Sequence, residues 1–300
     1  MFLSILQASG SGVVTGCIYA LVALCIVVLY KSSEVVNFAT GDLVMVGAYL
    51  ALLAVTAYHL PYYLVFPLVA VSVFCFGALF ETVVIRRVLS RFGAAHGALV
   101  PVIIATFGLS FLLKGIVRVT PYAKEMQRLP PLIAGPPVFI GPVVLQRQDL
   151  LIVAITVLVI AGLAFFFGFT APGRALRACS QNPKAAALVG IPVKRMRTLV
   201  WAISASLAGL AGVLVGPKLP LTPDIGVIAI IMGLSAAVIG GFSNLPGAIV
   251  GGIAIGVLQN VASLFVGSRA LAIAPFLVIM VVLTLRPQGL LGGDLQAKKV

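Results

Sequence analysis

The sequence predicts an all-α integral membrane protein, a polytopic bundle of about 8–10 transmembrane helices with one short cytoplasmic helix between two of them. Three observations carry that class. Hydrophobic residues fill 61% of the 300 positions and charged residues only 9%. The mean hydropathy is +1.21. The apolar residues also gather in runs of about 20, the length that crosses the hydrocarbon of a bilayer. Such a chain cannot cover itself with a water-compatible surface. Residues 1–300 read as one transmembrane domain, so any nucleotide-hydrolysing, receptor or catalytic domain belongs to a separate polypeptide. The net charge of +13 sits on Lys and Arg in short loops between apolar runs. Membrane topology and anionic lipid account for that placement better than nucleic acid does.

Nine apolar segments follow in order, at about 11–30, 41–58, 64–85, 97–119, 150–169, 197–217, 226–242, 247–266 and 270–285. No Lys or Arg precedes the first, so the N-terminus lacks the charged start of a cleaved signal and is expected to stay on the mature protein. An odd count puts the two ends on opposite sides. Lys31, Arg86, Arg87, Arg91, Arg174, Arg177, Lys184, Lys194, Arg195, Arg197, Arg286, Lys298 and Lys299 then share one side. Lys114, Arg118, Lys124, Arg128, Arg147, Lys218 and Arg269 take the other. The excess marks the cytoplasm, which places the N-terminus outside and the C-terminus inside. Between Thr120 and Asp149 the chain is rich in Pro and Gly and reads as an ordered outer cap. Trp201, Tyr58, Tyr62 and Tyr63 read as an interfacial aromatic belt.

Small residues recur at the close-packing interval in the later segments: Ser204, Ala208, Gly212 and Gly216, then Gly247 with Gly251 and Gly252 with Gly256. Placed on one helix face, they let backbones approach where lipid supplies no hydrophobic drive to associate. Ordinary bundle packing is the expected role.

Gly173 to Ile191 is a basic, helix-forming island, the coupling loop falling at about 170–196. Asn182 suits an N-cap, Pro183 the first helical position and Gly190 the stop. A short rigid helix there, outside the bilayer, offers a foothold for a partner protein.

Two stretches break the apolar pattern. Residues 36–42 hold Asn37, Thr40 and Gly41; residues 240–247 hold Gly240, Gly241, Ser243 and Asn244. Non-helical backbone at membrane depth must be buried in protein or face a watery cavity, and such segments often line solute paths. Both a solute path and a plain cytoplasmic turn fit the pattern. The acids Glu34, Asp42, Glu81, Glu125, Asp149, Asp224 and Asp294 all read as helix ends or loops, as do His59 and His96. An ion-driven carrier wants such a group near the bilayer centre. Cys17, Cys25, Cys75 and Cys179 have no metal-ligand spacing and read as packed thiols, so no metal is expected. Motifs for zinc proteases, phosphate-binding loops and nucleophile elbows are missing from the sequence, which points to a non-catalytic pore subunit.

Six ordered blocks then resemble a known family. They are residues 35–42, 105–110, the basic island, 204–214, 238–248 and 285–292. The chain resembles the integral-membrane permease of bacterial branched-chain amino acid ABC transporters, the Liv-type subunit. That resemblance implies a permease-like bundle paired with a second related permease as a hetero- or homodimer, two cytoplasmic ABC ATPases beneath it and a periplasmic solute-binding protein above. ATP and Mg would be bound by the ATPases, and this chain would need no cofactor. The resemblance assigns Arg177, Gln181, Asn182, Lys184, Ala185, Ala186 and Gly190 to contact with the ATPase. The site would be the bacterial inner membrane. The first block commonly reads Asn-Phe-Ala-His-Gly-Glu in this family, whereas Thr40 and Asp42 stand here for the His and the Glu. Branched-chain amino acids, urea, short amides and aromatic or other carboxylates are all open as solutes. A facilitative channel or secondary carrier for such solutes is the alternative.

Overall fold

In the computed structural model of this chain, residues 1–33, 35–92, 99–123, 127–133, 135–242, 244–267, 270–286 and 288–291 are described. Twelve α-helices and one β-hairpin are found among them. Six helices are long and apolar enough to cross a membrane: Phe2–Ser33 (α1), the run Tyr62–Phe92, Leu99–Val119 (α5), Arg147–Phe169 (α6), Val193–Val215 (α9) and Leu245–Val266 (α11). Three shorter apolar helices join them, Thr40–Thr56 (α2), Ile225–Gly240 (α10) and Ala270–Leu285 (α12). All nine apolar segments of the sequence are therefore helices, as the all-α membrane class predicts. The run Tyr62–Phe92 is built from α3 (Tyr62–Phe80), a wide π-helical turn (Glu81–Ile85) and α4 (Arg86–Phe92).

The largest boundary difference is at the start. The first helix begins at Phe2, nine residues before the apolar pattern does, and runs through Ser9, Gly10, Ser11 and Gly12. Glycine costs a helix about 1 kcal/mol per residue relative to alanine. Here packing outweighs that cost, because a Cβ at Gly12 would run into the backbone of Val257. The proline-rich stretch after α5 also contains strands, which its composition alone did not predict. Val138–Ile140 (β1) pairs antiparallel with Val143–Leu145 (β2), and Gln7 of α1 holds the hairpin through its side-chain amide. Gln7 Nε2 donates to the Val144 carbonyl at 2.7 Å, and Gln7 Oε1 accepts from the Val144 N–H at 2.8 Å.

The chain falls into two compact units. One comprises residues 1–27, 130–157 and 229–300. Its core is α1 against α11, met through glycine: Gly16 faces the backbone of Gly252 and Ile253, Gly252 faces Ala20, and Gly256 faces Gly12 and Gly16. Gly247 abuts Gly240, and Gly251 abuts the Ala236 carbonyl, which closes α10 onto α11. Tyr19 donates to Gln259 Oε1 at 2.9 Å, so two polar groups inside this apolar contact satisfy each other.

The other unit comprises residues 28–129 and 158–228, with α9 at its centre. Gly209 meets Gly47 of α2, Gly212 meets the backbone of Val44 and Ala48, Gly77 of α3 meets Ala205, and Gly216 meets the Leu129 side chain. Ser204 and Ala208 are buried on the same helix.

Glu81 lies inside the continuous run Tyr62–Phe92 and is fully buried, which corrects its reading as a helix end or loop. A single acid in an apolar run is stable only when paired. Arg197 Nε donates to Glu81 Oε1 at 2.9 Å, Arg86 Nη2 to Oε2 at 3.3 Å, and the Thr198 hydroxyl also donates to Oε2. Trp201 is corrected as well. It is buried against Phe80, with ring centroids 5.8 Å apart, and is no belt residue; Tyr58 and Tyr63 are exposed. Cys17, Cys25 and Cys179 are buried thiols, whereas Cys75 is exposed on α3. Glu34, His96, Lys124, Glu125, Arg269, Asp294, Lys298 and Lys299 lie outside the described residues.

Candidate functional site

The basic island is built as two helices in tandem. Thr170 opens the first, Ala171–Gln181 (α7), with its hydroxyl oxygen accepting from the Gly173 N–H at 3.1 Å and Pro172 in the first turn. Asn182 is extended, and one residue serves both helices. Its N–H donates to the Ala178 carbonyl at the end of α7, while its Oδ1 accepts from the Ala185 N–H at 3.0 Å to start Pro183–Leu188 (α8). Gly190 ends the element with φ +86°, a left-handed conformation that other residues adopt only under strain. The Ile191 N–H then donates to the Ala186 carbonyl, and Pro192 leads into α9. The N-cap, the first-position proline and the glycine stop stand where the sequence put them. The separate helix α7 was not anticipated, although Thr170 and Pro172 are its signal.

The two faces of this element differ. Gly173, Leu176 and Cys179 are buried at spacings of three, and Ala186 is buried beside them. Burial pushes the Cys179 thiol above its usual range, so it stays protonated and packs as a small apolar group. Arg174, Arg177, Gln181, Asn182, Lys184, Ala185 and Gly190 are exposed. Ala186, at 4% exposure, faces inward rather than outward. The most prominent apolar groups are Leu188 at 90% and Val189 at 77% exposure, and nothing in the sequence pattern singled them out. A solvated basic surface with two projecting aliphatic side chains can grip a partner through shape and charge together.

The first broken segment is buried and closed on itself. Asn37 Oδ1 accepts from the Ala39 N–H at 3.0 Å, and the Thr40 hydroxyl donates to the Asn37 carbonyl at 2.8 Å. Asn37 and Thr40 are both buried. The Gly41 carbonyl lies where a Cβ on Gly226 would point, and the Phe38 ring stacks on Phe107 at 4.5 Å. One turn further, Asp42 pairs with Lys114 of α5 at 3.6 Å, a buried ion pair the sequence did not join. Nonhelical backbone here is thus satisfied within the protein, as lipid demands.

The second segment is a tight turn from α10 to α11. Gly241 has φ +93°, Gly240 packs on Gly247, and Pro246 occupies the first turn of α11. Residues near the C-terminus cover it: Asn244 Nδ2 donates to the Leu291 carbonyl at 2.8 Å, and the Leu290 N–H donates to the Ile239 carbonyl at 2.7 Å. Ser243 lies outside the described residues. The two segments belong to different units, so each is placed only within its own. Among the described residues no three His, Cys, Asp or Glu side chains converge as a metal site would require.

A family profile described as "Branched-chain amino acid transport system / permease component" matches residues 10–285. The chain belongs to this family. The permease is 32% identical over 295 residues to the high-affinity branched-chain amino acid transport system permease protein BraD of Pseudomonas aeruginosa, covering 96% of this chain and 95% of that one. It is 30% identical over 310 residues to the corresponding protein LivH of Escherichia coli strain K12, covering 97% and 96%. A probable branched-chain amino acid permease LivH of Methanocaldococcus jannaschii is 26% identical over 285 residues, covering 91% and 88%. No solved structure matches. The permease is accordingly a multi-pass membrane transport subunit, and the family resemblance read from the six sequence blocks holds along nearly the whole chain.

Proposed function

We propose that this permease is the membrane-spanning subunit of an ATP-driven importer that carries branched-chain amino acids or related small polar or carboxylate solutes into the cytoplasm. The observation that carries the reading is the family match over residues 10–285, joined to an exposed, doubly capped element of the right build to receive force. The permease pairs with a second, related permease or with a copy of itself, and two ABC ATPases dock on α7 and α8. A periplasmic binding protein delivers the solute. ATP and Mg are held by the ATPases, and this chain contributes no catalytic group. The assembly sits in the bacterial inner membrane with the N-terminus periplasmic and the C-terminus cytoplasmic.

Under this reading Leu188 and Val189 enter an apolar socket on the ATPase, and Arg174, Arg177 and Lys184 meet acids around it. Asn37, Thr40 and Gly41 set the shape of the solute path. Proteoliposome uptake of labelled leucine tests the proposal. Accumulation is expected only when ATPases, binding protein and ATP are all present. Accumulation by this chain and its partner permease alone would overturn it in favour of a channel or secondary carrier.

A further inference from the structure

A cleft of about 380 Å³ opens within the second unit, behind the exposed island. Its walls come from the end of α1, the π-helical turn and α4, the start of α5, the inner faces of α7 and α8, and the first turns of α9. That volume falls in the range of small-ligand sites.

The charged groups among the described lining residues are both donors. Lys31 and Arg197 supply charge. Trp201, 3% exposed, presents an indole N–H with no hydrogen-bond partner, and the Ser32 hydroxyl is likewise buried and unpartnered. A buried donor left unmet is unfavourable, so both are open positions for an acceptor. No described lining residue is acidic. Glu81, the nearby acid, is already engaged by Arg86, Arg197 and Thr198. Among the described residues one carboxylate stands against two guanidinium groups, and Lys31 adds a further positive charge. The remaining wall is aliphatic: Ile85, Leu89, Val102, Leu176 and Met196.

A cleft lined by donors together with aliphatic side chains selects one kind of occupant. We propose that the cleft binds an amphipathic anion, a phosphate or carboxylate carrying a short apolar body, with the anion on Lys31, Ser32 and the Trp201 N–H. A zwitterionic amino acid fits less well, because no described lining acid would meet its ammonium. An anionic lipid headgroup and a free acyl or alkyl phosphate share this chemistry. Because α7 and α8 form one wall, the occupant touches the element proposed above to receive the ATPase. That consequence rests on the proposed function; binding itself does not.

Trp201 is the only tryptophan in the chain, so its emission reports the cleft directly. The full-length protein is placed in nanodiscs of phosphatidylcholine and titrated with hexyl phosphate, with 1-hexanol as the uncharged comparison, and is compared with discs containing phosphatidylglycerol. A saturable change with hexyl phosphate but not hexanol identifies a free anion as a ligand. A change in phosphatidylglycerol discs identifies a lipid headgroup. Either or both support the site. Lys31→Gln should weaken the response about tenfold, while Lys31→Arg keeps it within about threefold. Met196→Phe, which narrows the apolar wall without touching charge, should weaken it as well, and it serves as the arbiter if Lys31→Gln does not fold. No response to either anion, an equal response to hexanol, or wild-type affinity in both Lys31→Gln and Met196→Phe would overturn the proposal. These outcomes are independent of ATPase binding, so they stand apart from the uptake experiment.

Discussion

Ala186 and Leu188 are two residues apart in α8 and face opposite ways, and that difference decides what a substitution at each will do. Ala186→Arg forces a charge into the contact beneath the helix, where an unpaired buried charge costs several kcal/mol. The island itself should come loose, and transport should be lost even if the protein still reaches the membrane. Leu188→Asp changes only an exposed side chain and should leave the amount and melting temperature of the permease unchanged. Its effect should appear in co-purification of the ATPase, lowered about tenfold or more if the docking reading is right; normal recovery would remove Leu188 from the interface. Glu81→Gln gives a different signature. It leaves Arg86 and Arg197 without their shared carboxylate, and the expected cost of about 3–5 kcal/mol should be visible as a lowered melting temperature in detergent. The residues of the island were legible because caps and stops are local chemistry. Glu81's partners were not, since Arg197 is 116 positions away and only the fold brings it near.

At the scale of elements, the closest helix approaches in both units include glycine on glycine and glycine on backbone. Gly212→Leu should be among the most damaging single changes, because the side chain would enter the space held by Val44 and Ala48. Loss of folded protein by fluorescence size-exclusion chromatography is the expected result. Recovery at wild-type level would mean that α2 can move aside. The every-fourth-residue pattern on α9 and α11 could be read from sequence, yet its partners could not. Gly12 and Gly16 of α1, also four residues apart, complete the contacts together with Gly47 and Gly77. The start of α1 was hidden for a related reason, since small and polar residues weaken an apolar pattern while favouring close approach. The segment at Asn37 joins both issues. Asn37→Leu removes the acceptor that holds the Ala39 N–H, so it should cost stability as well as alter solute preference. Uptake profiles across candidate solutes, normalised to folded protein, separate the two; an unchanged profile would take this segment out of the solute path.

For the whole molecule, the balance of its 300 residues is that of a membrane bundle, with 9% charged residues and nine apolar helices among the described residues. Composition alone made the membrane class legible, and six ordered blocks made the family legible. The solute was not, because neither broken segment exposes, among its described residues, a side chain whose chemistry names one. Removing the ATPases from a reconstituted system is therefore the measurement that bears on the entire assembly.

Asn182 closes one helix and opens the next with no spare residue between them. If α8 receives the ATPase as proposed, the pair acts as a crank with a single joint, displacement of one arm turning the other. A glycine inserted after Asn182 would draw its Oδ1 away from the Ala185 N–H and put slack into that joint, and under the docking reading it should uncouple nucleotide turnover from solute movement.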